Sequence, residues 1–191
     1  MDKNLRYNSG FTLIELMVAT SIFMMVILAA IGALMITSNA AKESKALRYA
    51  MDNVNFAMDT MTRNLRLGSD YHCATPTPGS FIFTSSTSDC VLGNGAIVFS
   101  KPNSTPLSFD LSYQIAPSVN GNVVEKCDAS GCSPITSRDV NITELKFITR
   151  GSDPLDSIQP SVGILLKGTV DLSGKITTFE LQSLASQRTF E

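Results

Sequence analysis

The sequence has no tryptophan and a single histidine, His72, among its 191 residues. Its eight prolines all lie at or after Pro76, and the only glycines before residue 68 are Gly10 and Gly32. Proline and glycine are the residues that most disfavour a helix interior. Their scarcity therefore permits one long helix in the N-terminal third of the chain, and turns are expected only in the remainder.

The sequence also shows no recognisable catalytic motif. The net charge is −2, so no basic field predicts binding to nucleic acid. There is no glycine-rich phosphate loop, no histidine metal pair and no EF-hand spacing of acidic residues. We predict no enzyme activity, no metal and no cofactor, and we expect His72 to be a surface loop residue.

A long run without charge lies near the N-terminus, from Leu16 to Ile36. As a helix it would extend about 30 Å, which is enough to cross a bilayer. Lys3 and Arg6 precede the run, so the positive-inside tendency places the N-terminus in the cytoplasm and the rest outside. A cleaved secretory signal has a shorter apolar core of about 7–15 residues, so we expect the span to remain in the mature protein.

A second helical segment, residues 37–67, follows the apolar run and ends before Gly68, a natural helix stop. Its apolar residues recur every three or four positions and form one face of a helix. We predict that this stripe packs on a sheet formed by the rest of the chain, with a short coiled coil as the alternative. Its members are Leu47, Met51, Val54, Met58, Met61 and Leu65.

The remainder of the chain, residues 68–191, is typical of a β-rich domain. Alternating or β-branched runs are separated by turn signals such as Asn120-Gly121. Together with the N-terminal helix they predict an α+β fold in which a long helix packs on an antiparallel sheet. The candidate strands are Phe81–Ser85, Ala96–Ser100, Leu107–Ile115, Asn141–Arg150, Val162–Leu172 and Lys175–Gln187.

Four cysteines, Cys73, Cys90, Cys127 and Cys132, all lie in the β-rich part. An even number of cysteines in a small domain is typical of an oxidising compartment and of disulfides. A zinc site is the alternative, but it would need a second matching pair and more nitrogen donors. Three pairings are possible, and we favour Cys127–Cys132 and Cys73–Cys90 because each closes a local loop.

One carboxylate, Glu15, lies at the edge of the apolar run, where an unpaired charge is costly. The surrounding segment, SGFTLIELMVA, resembles the N-terminal motif of type IV prepilins and type II secretion pseudopilins. The resemblance implies a pilin-like fold and cleavage after Gly10 by a prepilin peptidase. It also implies methylation of the new Phe11 amine and a role for Glu15 in assembly.

The resemblance implies four segments along the chain. Residues 1–10 are a leader, residues 11–36 a transmembrane or filament-core helix, residues 37–67 its amphipathic continuation, and residues 68–191 an extracytoplasmic domain. The segment ALRYAMDNVNFAMDTMTRNLRLGSDY is similar to the helix of minor pilins and J-type minor pseudopilins, whereas tip pseudopilins commonly lack the glutamate at the position of Glu15.

The implied protein is a minor pilin or pseudopilin in the cytoplasmic membrane and then in an extracytoplasmic filament. Its implied partners are the peptidase, other pilin or pseudopilin subunits, an inner-membrane assembly platform and membrane lipid. The alternatives are a major pilin, an uncleaved signal-anchored extracellular binding module and a membrane-anchored enzyme, although no reactive constellation supports the last.

Overall fold

The structure is a computed structural model that describes residues 10–102, 104–105, 107–153, 157–172 and 174–188. Most of the expected leader, with Lys3 and Arg6, lies outside the described residues. The chain divides into two compact units, Met1–Lys45 and Ala46–Glu191.

A single helix, α1, runs from Leu13 to Leu67 without a break, as the scarcity of proline and glycine predicted. In the first unit its apolar side chains from Leu13 to Ile36 are exposed, except for the half-buried Ile27. The helix is long and apolar enough to cross a membrane. Its N-terminal part therefore carries an apolar surface that nothing in the described part of the first unit buries.

The described residues of the second unit form two antiparallel sheets after the helix. One sheet has five strands in the order β1-β3-β4-β5-β6, and the other has four in the order β2-β7-β8-β9. The strands are β1 (Ser69–Ala74), β2 (Cys90–Asn94), β3 (Ala96–Ser100), β4 (Leu111–Ser118), β5 (Gly121–Asp128), β6 (Gly131–Pro134), β7 (Val140–Arg150), β8 (Ser161–Leu172) and β9 (Lys175–Ser186).

The C-terminal part of α1 packs into the hydrophobic core of the second unit, as predicted. Val54, Met58, Met61 and Leu65 are buried there in one cluster with residues of both sheets. These four side chains are not available to a coiled-coil partner, so the coiled-coil alternative is wrong for this stripe. The expected α+β architecture is confirmed, with two sheets where the sequence predicted one.

Gly68 ends the helix, as expected, and allows the chain to turn into β1. Its N–H donates to the carbonyl of Asn64 at 2.9 Å. A Cβ atom at this position would overlap the ring of Phe99. The glycine therefore lets the end of α1 approach β3 closely.

Two of the strand predictions are wrong in part or entirely. Phe81–Ser85 is not a strand; its two phenylalanine rings stack edge to face, with centroids 5.0 Å apart. In the segment Leu107–Ile115 the strand begins only at Leu111. The backbone φ is +61° at Leu107 and +47° at Phe109, which is incompatible with an extended strand. Sequence alternation cannot detect such a local reversal of φ.

Candidate functional site

The Gly10–Phe11 peptide bond lies ahead of the first residue of α1, Leu13. Neither residue belongs to a helix or strand, and the Phe11 side chain is 81% exposed. Apart from Gly10 and its chain neighbours, no described atom lies within 4 Å of the position that a Gly10 Cβ would occupy. This bond is therefore sterically accessible within the described part of the first unit.

Glu15 lies in the first turn of α1 and is exposed. A carboxylate is favoured at this end because the helix dipole is positive there. No cation contacts Glu15 among the residues that the structure describes. The carboxylate and the Phe11 ring lie along the same open apolar groove, whose other lining residues are Leu16, Ala19, Thr20 and Phe23.

Three hydroxyl groups along the apolar run are bonded to the helix itself. Thr20 Oγ1 donates to the Met17 carbonyl at 3.0 Å, and Ser21 Oγ donates to the Val18 carbonyl at 2.8 Å. Thr37 Oγ1 is 3.0 Å from the Ala33 carbonyl. These contacts remove the cost of unpartnered hydroxyls in an apolar medium. Glu15 is thus the one side chain of residues 13–36 that needs a partner from outside the helix.

The structure joins the cysteines in the pairs favoured from the sequence. Cys73–Cys90 links β1 of the five-stranded sheet to β2 of the four-stranded sheet. Cys127–Cys132 links directly opposed residues of β5 and β6. Glu125 lies beside the second pair, close enough to suggest a metal cluster. Because both sulfurs belong to a disulfide, neither is the thiolate that a zinc ligand requires.

A buried polar network, centred on Gln114 and Glu125, was not predicted from the sequence. Gln114 is fully buried and exchanges hydrogen bonds with the backbone of Thr77, at 2.7 Å to its N–H and 2.9 Å to its carbonyl. Its Nε2 also donates to the carbonyl of Ser80 at 3.0 Å. Glu125 accepts a 2.8 Å bond from the N–H of Gly79. The network fastens the loop after β1 to β4 and β5.

His72 is not a surface loop residue, which corrects the expectation from the sequence. It lies in β1 and is half-buried. Its Nδ1 is 3.1 Å from Ser88 Oγ, and its ring meets the edge of Phe109 at 6.5 Å between centroids. These contacts give His72 a packing role between β1 and two loops.

A surface cavity of about 390 Å³ lies beside Phe81 and Phe83. Two carboxylates line it, and hydroxyl donors hold the pKa of each below its usual value. Ser104 is the main donor to Asp110, and Ser130 is the main donor to Asp128. Both acids are therefore ionised at neutral pH and poorly suited to donate a proton.

Residues 5–31 match a family model described as the prokaryotic N-terminal methylation motif. No curated protein and no solved structure gives a significant match to the chain. The matched segment contains Gly10, Phe11 and Glu15, whereas the four cysteines lie outside it. The chain therefore carries the prokaryotic N-terminal methylation motif, consistent with type IV prepilins and pseudopilins, and this motif includes the first part of the long helix α1.

Proposed function

We propose that this protein is a minor pilin or pseudopilin, a structural subunit of a type IV pilus or a type II secretion pseudopilus. The observation that carries the proposal is the methylation motif at residues 5–31, placed directly on an uninterrupted apolar helix. Before assembly the subunit spans the cytoplasmic membrane, with its N-terminus in the cytoplasm and its β domain outside the cytoplasm. It is then assembled into an extracytoplasmic filament.

The proposed processing site is the bond between Gly10 and Phe11. A prepilin peptidase cuts there, removes the leader of residues 1–10, and methylates the new amine of Phe11. The exposed bond ahead of α1 supports this step, because a protease needs backbone that is not held in a helix. Cleavage also creates a cation four residues before Glu15.

Glu15 is proposed as the assembly contact. In the apolar interior of a filament its carboxylate pairs with the Phe11 ammonium of a neighbouring subunit. Removing one partner of a buried ion pair leaves an uncompensated charge, which is costly. The pair therefore sets the axial register between neighbouring subunits. An uncleaved chain has no ammonium at Phe11, and the leader therefore prevents assembly.

The remaining parts of the chain have supporting roles in this proposal. The apolar surface of residues 13–36 is covered first by membrane lipid and then by other pilin or pseudopilin subunits, which an inner-membrane assembly platform brings together. The two disulfides form outside the cytoplasm and stabilise the β domain. The protein performs no catalysis and needs no cofactor.

Intact-mass and N-terminal analysis of the membrane-extracted protein tests the proposal. In cells with the peptidase we expect a chain that begins at methylated Phe11. In matched cells without the peptidase we expect the full chain. A chain that still begins at Met1 in peptidase-positive cells would overturn the proposal and favour an uncleaved anchor.

The role of Glu15 is tested by competition between subunits. Glu15→Gln keeps the size of the side chain and removes its charge, and Glu15→Asp keeps the charge. When each variant is expressed at the level of the wild type, we expect the glutamine chain to be largely excluded from filaments and the aspartate chain to be retained in part. Equal incorporation of the glutamine chain would refute the ion pair.

A further inference from the structure

The surface cavity beside Phe81 and Phe83 lies where β3 ends, β4 begins and β5 turns into β6. Its volume of about 390 Å³ is in the range of small-molecule sites, about 300–1,000 Å³. Four of its lining residues carry an aromatic ring or a charge: Phe83, Lys101, Asp110 and Asp128. We call these four the cavity groups. None of them belongs to the segment that matches the methylation motif, so the proposed assembly does not use them.

Phe83 contributes an exposed aromatic ring to the cavity. Its side chain is 86% exposed, although burial of a phenylalanine is favourable. The half-buried Phe81 packs against it edge to face, with 5.0 Å between ring centroids. The faces of an aromatic ring carry partial negative charge, so C–H groups are favoured there. The Phe83 ring can therefore stack on the apolar face of a ligand.

The two carboxylates of the cavity groups each use one oxygen within the chain. Asp110 Oδ2 accepts from the hydroxyls of Ser104 and Ser108. Asp128 Oδ1 accepts from the hydroxyl and the N–H of Ser130. No described residue donates a hydrogen bond to Asp110 Oδ1 or to Asp128 Oδ2. Two acceptors therefore remain available to a ligand beside the ring.

Lys101 favours an uncharged ligand over a charged one. Its side chain lines the cavity and forms no ion pair with a residue that the structure describes. After the hydroxyl donors of Ser104 and Ser130, its charge is a further cause of the low pKa of Asp110 and Asp128. The ammonium repels a cation, and the carboxylates repel an anion. A neutral ligand that both donates and accepts hydrogen bonds can use all three groups.

The walls of the cavity are held in place by bonds elsewhere in the domain. The buried polar network binds the backbone of Gly79 and Ser80, directly ahead of Phe81. The disulfide Cys127–Cys132 closes the turn that carries Asp128. A site whose groups are already held loses less conformational freedom when a ligand binds. The network and this disulfide therefore position binding groups in addition to stabilising the fold.

We propose that this cavity binds a neutral sugar in its pyranose form. The C–H face of the sugar stacks on the Phe83 ring. Its hydroxyls donate to Asp110 Oδ1 and Asp128 Oδ2, and the Lys101 ammonium donates to a sugar oxygen. A pyranose fits these groups because it combines an apolar face with hydroxyls that both donate and accept. This binding role is additional to the structural role proposed above, and it requires neither cleavage after Gly10 nor assembly.

Saturation-transfer difference NMR on the full-length chain tests the proposal. The chain is kept in a detergent without a sugar headgroup, because such headgroups would compete for the cavity. The probes are the methyl glycosides of glucose, galactose, mannose and N-acetylglucosamine. We expect at least one to bind with a dissociation constant on the order of 1–10 mM, as is usual for so small a ligand. Sorbitol, which has similar hydroxyls but no ring, is the control and should not bind.

Two charged probes test the class of ligand. Agmatine is a cation, and glucose 6-phosphate is an anion. Saturation transfer to agmatine alone would overturn the proposal and indicate a cation site, and transfer to glucose 6-phosphate alone would overturn it and indicate an anion site. Equal transfer to sorbitol and to the glycosides, or no transfer to any glycoside at up to about 50 mM, would overturn it as well.

Substitutions at Phe83 test whether the aromatic ring makes the contact. Phe83→Ala and Phe83→Leu remove the aromatic face, whereas Phe83→Trp keeps one. We expect the first two to weaken glycoside binding about three- to tenfold and the third to retain it. Phe56→Ala is the control, because Phe56 is 66% exposed on α1 and does not line the cavity. Unchanged binding by Phe83→Ala would place the glycoside elsewhere and refute the proposal.

A substitution at Asp128 tests the hydrogen bonds. Asp128→Asn keeps the size of the side chain and removes its charge, and we expect it to weaken glycoside binding several-fold. Asp139→Asn is the matched control, because Asp139 also accepts from a nearby serine, Ser137, but does not line the cavity. Circular dichroism of both variants checks that the fold is kept. Equal affinities of the two variants would contradict the proposed contact at Asp128.

Discussion

Gln114 and Glu125 lie directly opposite each other on β4 and β5, and Gln114 Nε2 donates a 2.7 Å hydrogen bond to Glu125 Oε1. Both side chains are buried, at 0% and 8% exposure. A carboxylate in such a place needs donors, because burying an unpaired charge is costly. Glu125 accepts from Gln114 and from the Gly79 N–H in the loop after β1, so strand pairing and loop position depend on the same two residues.

We expect Gln114→Leu to lower the free energy of unfolding by about 2–3 kcal/mol, because it removes one donor from the buried Glu125 carboxylate and the bonds that hold Thr77 and Ser80. Urea denaturation of the full-length chain in detergent, followed by near-ultraviolet circular dichroism, measures the change. Gln182→Ala is the control, since Gln182 is exposed and its side chain bonds only Glu180 among the described residues. It should change stability by less than about 0.5 kcal/mol. Equal effects of the two substitutions would contradict the role of the network.

The close approach of α1 to β3 predicts a strong effect of a single methyl group. Gly68→Ala places a Cβ against the Phe99 ring and should cost about 1–3 kcal/mol of stability. Gly163→Ala is the matched control, because its new Cβ would meet the nearest atom, on Ile148, only at 3.8 Å. Thermal unfolding of both variants tests the difference. Equal stability of Gly68→Ala and the wild type would show that α1 and β3 can move apart without loss of stability.

The two disulfides should contribute unequally to stability. Cys73–Cys90 spans 17 residues and Cys127–Cys132 spans 5. On the chain-entropy account, replacing the first pair by alanine costs about 3 kcal/mol and replacing the second about 2 kcal/mol. Denaturation of the two double variants, with the wild type as reference, measures the order. A larger loss from the second pair would mean that loop closure is not the dominant contribution.

Stability should fall in strong base because of a buried tyrosine. Burial raises the pKa of Tyr113 to about 12 from a usual value of 10.0, and the hydrogen bond from Asn64 opposes this rise only in part. Burial also raises the pKa of Tyr71. Above pH 10.0 the unfolded chain ionises Tyr113 and the folded chain does not. Below pH 10.0 the stabilising contribution of Tyr113 is complete. It is lost as the pH rises from 10.0 to the pKa of Tyr113 in the folded chain.

Urea denaturation of the wild type and of Tyr113→Phe at a series of pH values measures this effect. The phenylalanine variant should show a shallower fall in basic solution. Tyr49→Phe is the control, because it removes the same hydroxyl from a tyrosine that is 75% exposed. Parallel curves for the wild type and Tyr113→Phe would refute the assignment.

The helix was predictable because its signals are local and repeated. The absence of proline, the stripe at spacings of three and four, and Gly68 at the end all agree with α1 as it is found. β3, β7, β8 and β9 were also predicted to within one residue at each end. In these segments the periodicity of the sequence and the tertiary packing favour the same structure.

The missed strands have weak local signals and depend on partners elsewhere in the chain. β6 has four residues, among them a glycine and a proline, and exists because it pairs with β5. The polar network was missed for the same reason. Gln114 is the one amide side chain of β4, but its partners, Glu125 and the loop after β1, are set by strand register, which cannot be deduced from the sequence.

The hydroxyls of Thr20, Ser21 and Thr37 are satisfied within α1 and need nothing from their surroundings. The apolar segment of α1 can therefore be buried in lipid or in a protein interior without unpartnered hydroxyls. Only the Glu15 carboxylate would need a partner. Moving the segment from one to the other breaks none of these hydrogen bonds.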